Sequence, residues 1–109
     1  MKQSNYGILI GKRVKRISDP TVWAKNFQDL SARRVAEDVV KAPVGFYVVS
    51  TVFLGLDHSF IPGARGVWFE TMVFSHEKAP VKHIQERYHS WSEAEAGHKR
   101  IVKELQNGK

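Results

Sequence analysis

Residues 46–74 read FYVVSTVFLGLDHSFIPGARGVWFETMVF and carry the strongest β-sheet signal in the chain. Two runs rich in β-branched and aromatic residues, 46–56 and 67–74, flank a connection that contains Gly and Pro. This pattern is typical of a β-hairpin with a long connection. The first run is apolar on both of its alternating faces. We therefore expect a central strand, with either both faces covered or one face covered and the other part of an interface.

Upstream of the hairpin, the chain predicts one helix and further strands. Residues 20–30 are predicted to be helical because Asp19 can cap the first turn, a proline follows it, and the aromatic residues recur at helical spacing. Residues 6–10 and 33–40 favour strands, with a helix extension as the alternative for the second segment. Residues 12–16 alternate poorly and could form an edge strand or a loop.

Downstream of the hairpin, a polar loop is expected over residues 75–86, and residues 87–89 could add a short edge strand. A helix then begins near Ser90 or Ser92, either of which can form a capping box with a glutamate three residues later, and it ends at Asn107. Gly97 weakens this helix by about 1 kcal/mol relative to Ala, which suggests a close approach of a strand or a ligand.

Together these elements predict a single α+β domain over residues 1–109. An antiparallel sheet of three or four strands should carry the C-terminal helix and a shorter N-terminal helix. The residues expected to be mostly buried are apolar side chains at sheet and helix periodicity: Trp23, Phe27, Val48, Val52, Phe69, Val73, Trp91, Ile101 and Leu105. Trp68 is most simply a core anchor, with stacking on a base as the alternative.

Composition excludes several classes of function. The 109 residues include no cysteine, which rules out disulfides, thiol catalysis and thiolate zinc sites. No apolar run approaches the roughly 18 residues of a membrane span, and the N-terminus lacks a signal-peptide pattern. The sequence contains no phosphate-binding glycine loop, dinucleotide fingerprint or serine-hydrolase elbow. We expect a cytoplasmic protein with no cofactor and no metal.

The net charge of +6 is concentrated in the first third of the chain. Residues 1–34 carry eight basic and two acidic side chains, whereas the remainder carries nine of each. Such a segment can contact phosphate of a nucleotide or a nucleic acid, although a solvated basic surface would look the same. The candidate phosphate contacts are Lys12, Arg13, Lys15, Arg16 and, in the hairpin connection, Arg65.

Several polar residues stand where a plain hairpin would not place them. Asp57 and His58 end the first strand, where they could do acid–base work or simply cap the turn. Glu70 lies within the second strand and needs a partner such as Arg87, a histidine or backbone amides, unless it lines a site. His98 lies on the apolar stripe of the last helix as either a satisfied core histidine or a ligand contact.

The segments WAKNF, ARRVA, VSTVFLGLDHSF, FETMVF and RYHSWSEAEAGH resemble a family of small proteins encoded in tailed-phage and prophage genomes. The resemblance spans residues 20–102, and LGLDHSF and FETMVF are its most specific parts. The chain departs from the family at IPGARGVW and SHEKAPVKHIQE, where members carry Gly/Pro-rich connections, and in its basic start KRVKR. The resemblance implies a phage or prophage setting, in the cytoplasm of the host cell, and little chemistry.

Three functions compete at this point. The favoured one is a non-catalytic accessory protein that acts on a host factor or sequesters an anionic, nucleotide-like ligand, with an anti-defence role. The first alternative is a small hydrolase or nuclease using Asp57, His58 and Glu70, which requires those three side chains to converge. The second is a nucleic-acid-binding module that uses the basic N-terminal third. The expected partners exclude a membrane and include a further copy of the chain, bound through the hairpin.

Overall fold

The computed structural model describes residues 4–61, 63–77, 81 and 84–108. Within them the order is β1 (Gly7–Ile10), β2 (Arg13–Arg16), α1 (Pro20–Phe27), α2 (Leu30–Arg33), β3 (Arg34–Lys41), β4 (Phe46–Phe53), β5 (Phe69–Ser75), β6 (Glu86–Tyr88) and α3 (Trp91–Gln106). Strands β3-β4-β5-β6 form an antiparallel sheet in that spatial order, and β1-β2 form a separate two-stranded ribbon. The α+β class is confirmed, and β4 is a central strand.

The four-stranded sheet has one face covered by α3. In β4 and β5, the cross-strand pairs Val49–Val73 and Phe53–Phe69 are buried. Val49 and Val73 pack with Ile101 and Leu105 of α3, and a second cluster joins Phe53 and Phe69 to Trp68, Tyr88 and Ala94. We call this side the covered face and the opposite side the open face.

The expectation that Val48 and Val52 belong to the core was wrong. Both are half-buried on the open face, and their neighbours Val49 and Phe53 form the core instead. Successive residues of a strand point to opposite faces. Because β4 is apolar on both faces, its pattern did not indicate which face the helix would cover. Three aromatic residues expected in the core are also half-buried: Trp23, Phe27 and Trp91.

The first helix ends earlier than the sequence suggests. The side chain of Asp19 accepts hydrogen bonds from the first turn of α1, as expected. The helix stops at Phe27, however, because Asp29 caps a new turn, α2, by accepting the N–H of Ala32 at 3.1 Å. Helix α1 packs at the end of the sheet, where the Trp23 indole donates to the carbonyl of Gly55 at 2.9 Å.

Helix α3 begins where the capping pattern predicts. The hydroxyl of Ser90 accepts the N–H of Glu93 at 3.2 Å, as in a capping box, and the same hydroxyl donates to the Glu93 carboxylate at 3.1 Å. At Gly97 the close approach is made by the ring of Tyr88 from β6. Among the described residues, no helix is both long and apolar enough to cross a membrane.

Candidate ligand-binding pocket

An open pocket lies between the β1-β2 ribbon, the connection that precedes β5, and the start of α3. The ribbon is held there because Leu9 and Val14 pack against the aromatic cluster around Phe53 and Trp68. The pocket holds about 300 Å3 of space. Its functionally relevant lining residues are three cations and three aromatic or imidazole groups: Lys12, Arg13, Arg65, Trp68, His89 and Trp91. We call it the α3 N-terminal pocket.

Three of the five predicted phosphate contacts converge in this pocket. Lys12 lies in the β1-β2 turn, Arg13 is the first residue of β2, and Arg65 lies in a loop that is distant in sequence. The Lys12 ammonium lies 5.9 Å from the ring centroid of Trp91. Arg65 forms an exposed ion pair with Glu93 at 3.1 Å. An exposed pair of this kind contributes at most about 1 kcal/mol, so a ligand anion can compete for the guanidinium.

Aromatic groups give the pocket its shape. Trp68 is buried and packs against Phe53, so only part of its indole borders the opening. Trp91 stands edge-on to Phe69 with ring centroids 6.1 Å apart, and its indole N–H is buried without a hydrogen-bond partner among the described residues. His89 is fixed by a 2.8 Å contact between its Nδ1 and the carbonyl of Gly66.

The other two predicted phosphate contacts lie elsewhere. Lys15 is exposed on β2 and does not line the pocket. Arg16 donates to the carboxylate of Asp57 at 2.9 Å and to the carbonyl of Ser4 at 2.8 Å, and its guanidinium lies 5.0 Å from the ring centroid of Trp68. Arg16 thus ties β2 to the loop that follows β4.

Asp57 stabilises the loop in which it lies. It is buried, and its Oδ1 accepts the N–H groups of Ser59 and Val67, both at 2.9 Å. Burial raises the pKa of this carboxyl, but the two backbone hydrogen bonds and the Arg16 guanidinium outweigh that effect and hold the pKa well below its usual range. The neighbouring His58 is half-buried against Phe60, with ring centroids 5.5 Å apart.

Glu70 lies on the open face, away from Asp57. Its Oε2 accepts hydrogen bonds from Arg87 at 2.8 Å and from Gln85 at 2.7 Å. This is the pairing with Arg87 that strand register imposes, since Glu70 and Arg87 are direct cross-strand neighbours in β5 and β6. His98 lies on the covered face, so the sheet itself separates it from Glu70.

His98 is part of a buried chain of hydrogen bonds between α3 and the sheet. Its Nε2 contacts the carboxylate of Asp38 at 2.7 Å, and its Nδ1 contacts the hydroxyl of Thr51 at 2.6 Å. The Thr51 hydroxyl lies 2.5 Å from the hydroxyl of Thr71. The Thr71 hydroxyl in turn accepts a hydrogen bond from the Tyr88 hydroxyl at 3.0 Å. Burial raises the pKa of the Tyr88 phenol.

Asp38, His98 and Thr51 follow the carboxylate, imidazole and hydroxyl order of a catalytic triad, but Thr51 is fully buried. A substrate therefore has no access to its oxygen, and His98 is a satisfied core histidine. In the part of the chain that the structure describes, Asp57, His58 and Glu70 do not converge, and no cluster of three or more His, Asp or Glu side chains could hold a metal ion.

Sequence reasoning missed two features of the pocket. His89 was assigned only to an edge strand, and Trp91 only to the core. No local pattern signals that the turn at Lys12 contacts the first residue of α3, because the two are far apart in sequence.

Comparison with known proteins adds nothing to this geometry: no protein-family model, no curated protein and no solved structure matches the chain.

Proposed function

We propose that this chain is a non-catalytic binding protein that takes an anionic, nucleotide-like ligand in the α3 N-terminal pocket. The observation that carries the proposal is the convergence of Lys12, Arg13 and Arg65 on a pocket bordered by two indoles. Cations recognise phosphate, and the half-buried indole of Trp91 is the aromatic group that a planar base could contact, so the pocket offers both halves of a nucleotide a partner.

The size and charge of the pocket support this ligand class. A volume of about 300 Å3 lies at the small end of ligand sites, which typically span about 300–1,000 Å3. One pocket cation, Arg65, is already opposed by Glu93, whereas no ion pair within the described residues engages Lys12 or Arg13. The two ribbon cations are therefore the ones expected to supply most of the affinity for an anion.

The biological setting belongs to the same proposal. The segments LGLDHSF and FETMVF support a phage- or prophage-encoded accessory protein in the host cytoplasm, and sequestration of a nucleotide-like ligand there would suit an anti-defence role. The hydrolase alternative has no comparable support, because Asp57 is engaged by Arg16 and Glu70 by Arg87.

Calorimetric titration of the purified chain tests the proposal. The probes are a nucleoside monophosphate, inorganic phosphate and a short single-stranded oligonucleotide. We expect the nucleotide to bind more tightly than phosphate. Arg13→Gln should weaken binding at least about tenfold, since a hydrogen bond to a charged group contributes about 1.5–3 kcal/mol.

Lys15→Gln is the matched control, because Lys15 is an exposed cation on the same ribbon outside the pocket. It should change nucleotide affinity less than twofold. Equal weakening by Arg13→Gln and Lys15→Gln would show a diffuse basic surface instead of a pocket. Binding of the oligonucleotide alone, with a steep salt dependence, would favour the nucleic-acid module.

A further inference from the structure

His89 differs in kind from the cations of the α3 N-terminal pocket. Lysine and arginine side chains ordinarily stay positive at every physiological pH, whereas histidine ordinarily gains or loses its charge between about pH 5 and pH 8. Among the described residues that line the pocket, His89 is the only histidine. It is therefore the residue through which the charge of the pocket can respond to pH.

The contact with Gly66 determines which ring nitrogen of His89 is left for a ligand. The Nδ1 atom lies 2.8 Å from the carbonyl oxygen of Gly66. Because a carbonyl oxygen can only accept a hydrogen bond, Nδ1 must carry a proton. In the neutral imidazole, Nε2 is then an acceptor without a proton. A second proton can be added only at Nε2.

The Nε2 atom of His89 is free to meet a ligand. Within the described residues it makes no hydrogen bond, since the imidazole contacts Gly66 through Nδ1 alone. In the same part of the chain, a single side-chain nitrogen or oxygen is both buried and without a partner, and it is the Nε1 of Trp91. The Nε2 of His89 is consequently reachable from solvent, on a residue that borders the pocket.

We propose that His89 takes up a proton from solvent when an anion enters the pocket, and that its Nε2 then donates a hydrogen bond to the phosphate. This inference rests on the proposed function, because it concerns the same pocket and the same class of ligand. The neutral imidazole offers phosphate only an acceptor at Nε2, whereas the protonated ring offers a donor and a positive charge. A bound anion favours the protonated ring and, reciprocally, the proton favours the anion. Affinity should therefore increase as the pH falls.

The charges around His89 make the ligand the counter-ion that this coupling requires. Three cations share the pocket with it, and none of the described lining residues is a carboxylate. At the start of α3, Glu93 is engaged by Arg65 at 3.1 Å. On β2, Arg16 is balanced by Asp57 at 2.9 Å. No described carboxylate is thus free to offset a further positive charge in the pocket, whereas a bound phosphate would do so.

Calorimetric titration of the full chain from about pH 8 to about pH 5.5 tests the coupling, since this range spans the ordinary titration of histidine. The probe is the methyl ester of a nucleoside monophosphate. Its phosphodiester keeps a single negative charge throughout the range, whereas a phosphate monoester changes its charge near pH 6. The affinity of wild type should rise about tenfold on acidification, as expected for one additional charge-assisted hydrogen bond.

His89→Gln removes the titrating ring but keeps a side-chain N–H that can donate to Gly66. Its affinity for the probe should change less than about twofold over the same pH range, since no proton is taken up. His58→Gln is the matched control, because His58 is also half-buried but does not line the pocket. This control should keep the pH dependence of wild type. Circular dichroism should show that both variants are folded.

Heteronuclear NMR of the imidazole nitrogens in wild type gives a reading that does not depend on any variant. At about pH 7, within the range in which histidine ordinarily titrates, addition of the probe should convert Nε2 of His89 from the unprotonated to the protonated form. An Nε2 signal that stays unprotonated when the pocket is saturated would overturn the inference.

The remaining outcomes separate this inference from the proposed function. Binding that is independent of pH, or that weakens on acidification because Nε2 accepts a hydrogen bond from the ligand, would overturn the inference and leave the nucleotide site standing. So would a pH dependence that survives in His89→Gln, or one that His58→Gln abolishes. Absence of binding at every pH would refute the proposed function, and the inference with it.

Discussion

Replacing Gly97 by Ala should destabilise the protein, although the change favours a helix. Gly97 lies inside α3, where Ala is better than Gly by about 1 kcal/mol. A Cβ built on Gly97 would lie 2.5 Å from Cζ of Tyr88, and closer still to Cε1 and the hydroxyl. Carbon atoms prefer a separation of about 3.5–4.0 Å, so the ring would have to move by roughly 1 Å.

Tyr88 has little freedom to make that movement. Its ring is buried, and its hydroxyl donates to Thr71 at 3.0 Å. A 1 Å displacement would break this buried hydrogen bond, at a cost of about 1–3 kcal/mol. Overpacking adds about 1–3 kcal/mol. After subtraction of the gain in helix propensity, Gly97→Ala should lower the free energy of unfolding by about 1–5 kcal/mol.

Urea unfolding in two backgrounds separates the opposing effects. In wild type, Gly97→Ala should be destabilising. In a Tyr88→Ala background the ring is gone, so the same change should stabilise the protein by up to about 1 kcal/mol. If Gly97→Ala stabilises wild type, or destabilises both backgrounds equally, Tyr88 is not what requires a glycine at this position.

Three further changes have expected outcomes. Glu70→Gln should lower the free energy of unfolding in urea by about 1 kcal/mol, because Arg87 is 44% exposed. Breaking a fully buried pair would cost about 3–5 kcal/mol, so a loss above about 3 kcal/mol would contradict this expectation. Ile101→Ala should cost about 2–5 kcal/mol, and a loss well under 1 kcal/mol would mean that α3 does not pack as described. The pKa of Asp57 is lower in the folded state than in the unfolded state, where it is about 3.9. The ionised carboxylate therefore stabilises the fold at pH values above about 3.9, and this stabilisation is lost as the pH falls through the folded-state pKa. Thermal melts from pH 5 to pH 2 should therefore fall less steeply for Asp57→Asn than for wild type, and parallel curves would contradict the assignment.

Local signals predicted most elements of the fold, but they missed α2 and the end of α1. Runs of β-branched and aromatic residues predicted β4 and β5, and the capping box at Ser90 with the stripe containing Ile101 predicted α3. The side of the sheet that α3 covers could not be predicted, because Val48 and Val49 are the same residue type on opposite faces. That choice depends on long-range packing.

The candidate site was predicted in part. Charge alone pointed to Lys12, Arg13 and Arg65 but could not separate them from Arg16, which has the same chemistry and is bound to Asp57. The difference lies in tertiary structure: Arg16 reaches Ser4 and Asp57, whereas Lys12 and Arg13 lie at the other end of β2, beside Arg65. The position of Trp91 beside Lys12 likewise arises from docking of the ribbon on the sheet.

The buried chain of hydrogen bonds around His98 has a consequence for how uniquely α3 docks. Apolar contacts have no preferred direction, so a helix held by Ile101 and Leu105 alone could slide or rotate on the sheet with a modest loss of packing. His98 must reach Asp38 and Thr51 at the same time. A shift by one residue would rotate the imidazole away from both and leave buried polar groups unsatisfied. The polar chain thus selects a single register of α3 among many apolar alternatives, and it confers conformational specificity that the apolar core could not provide.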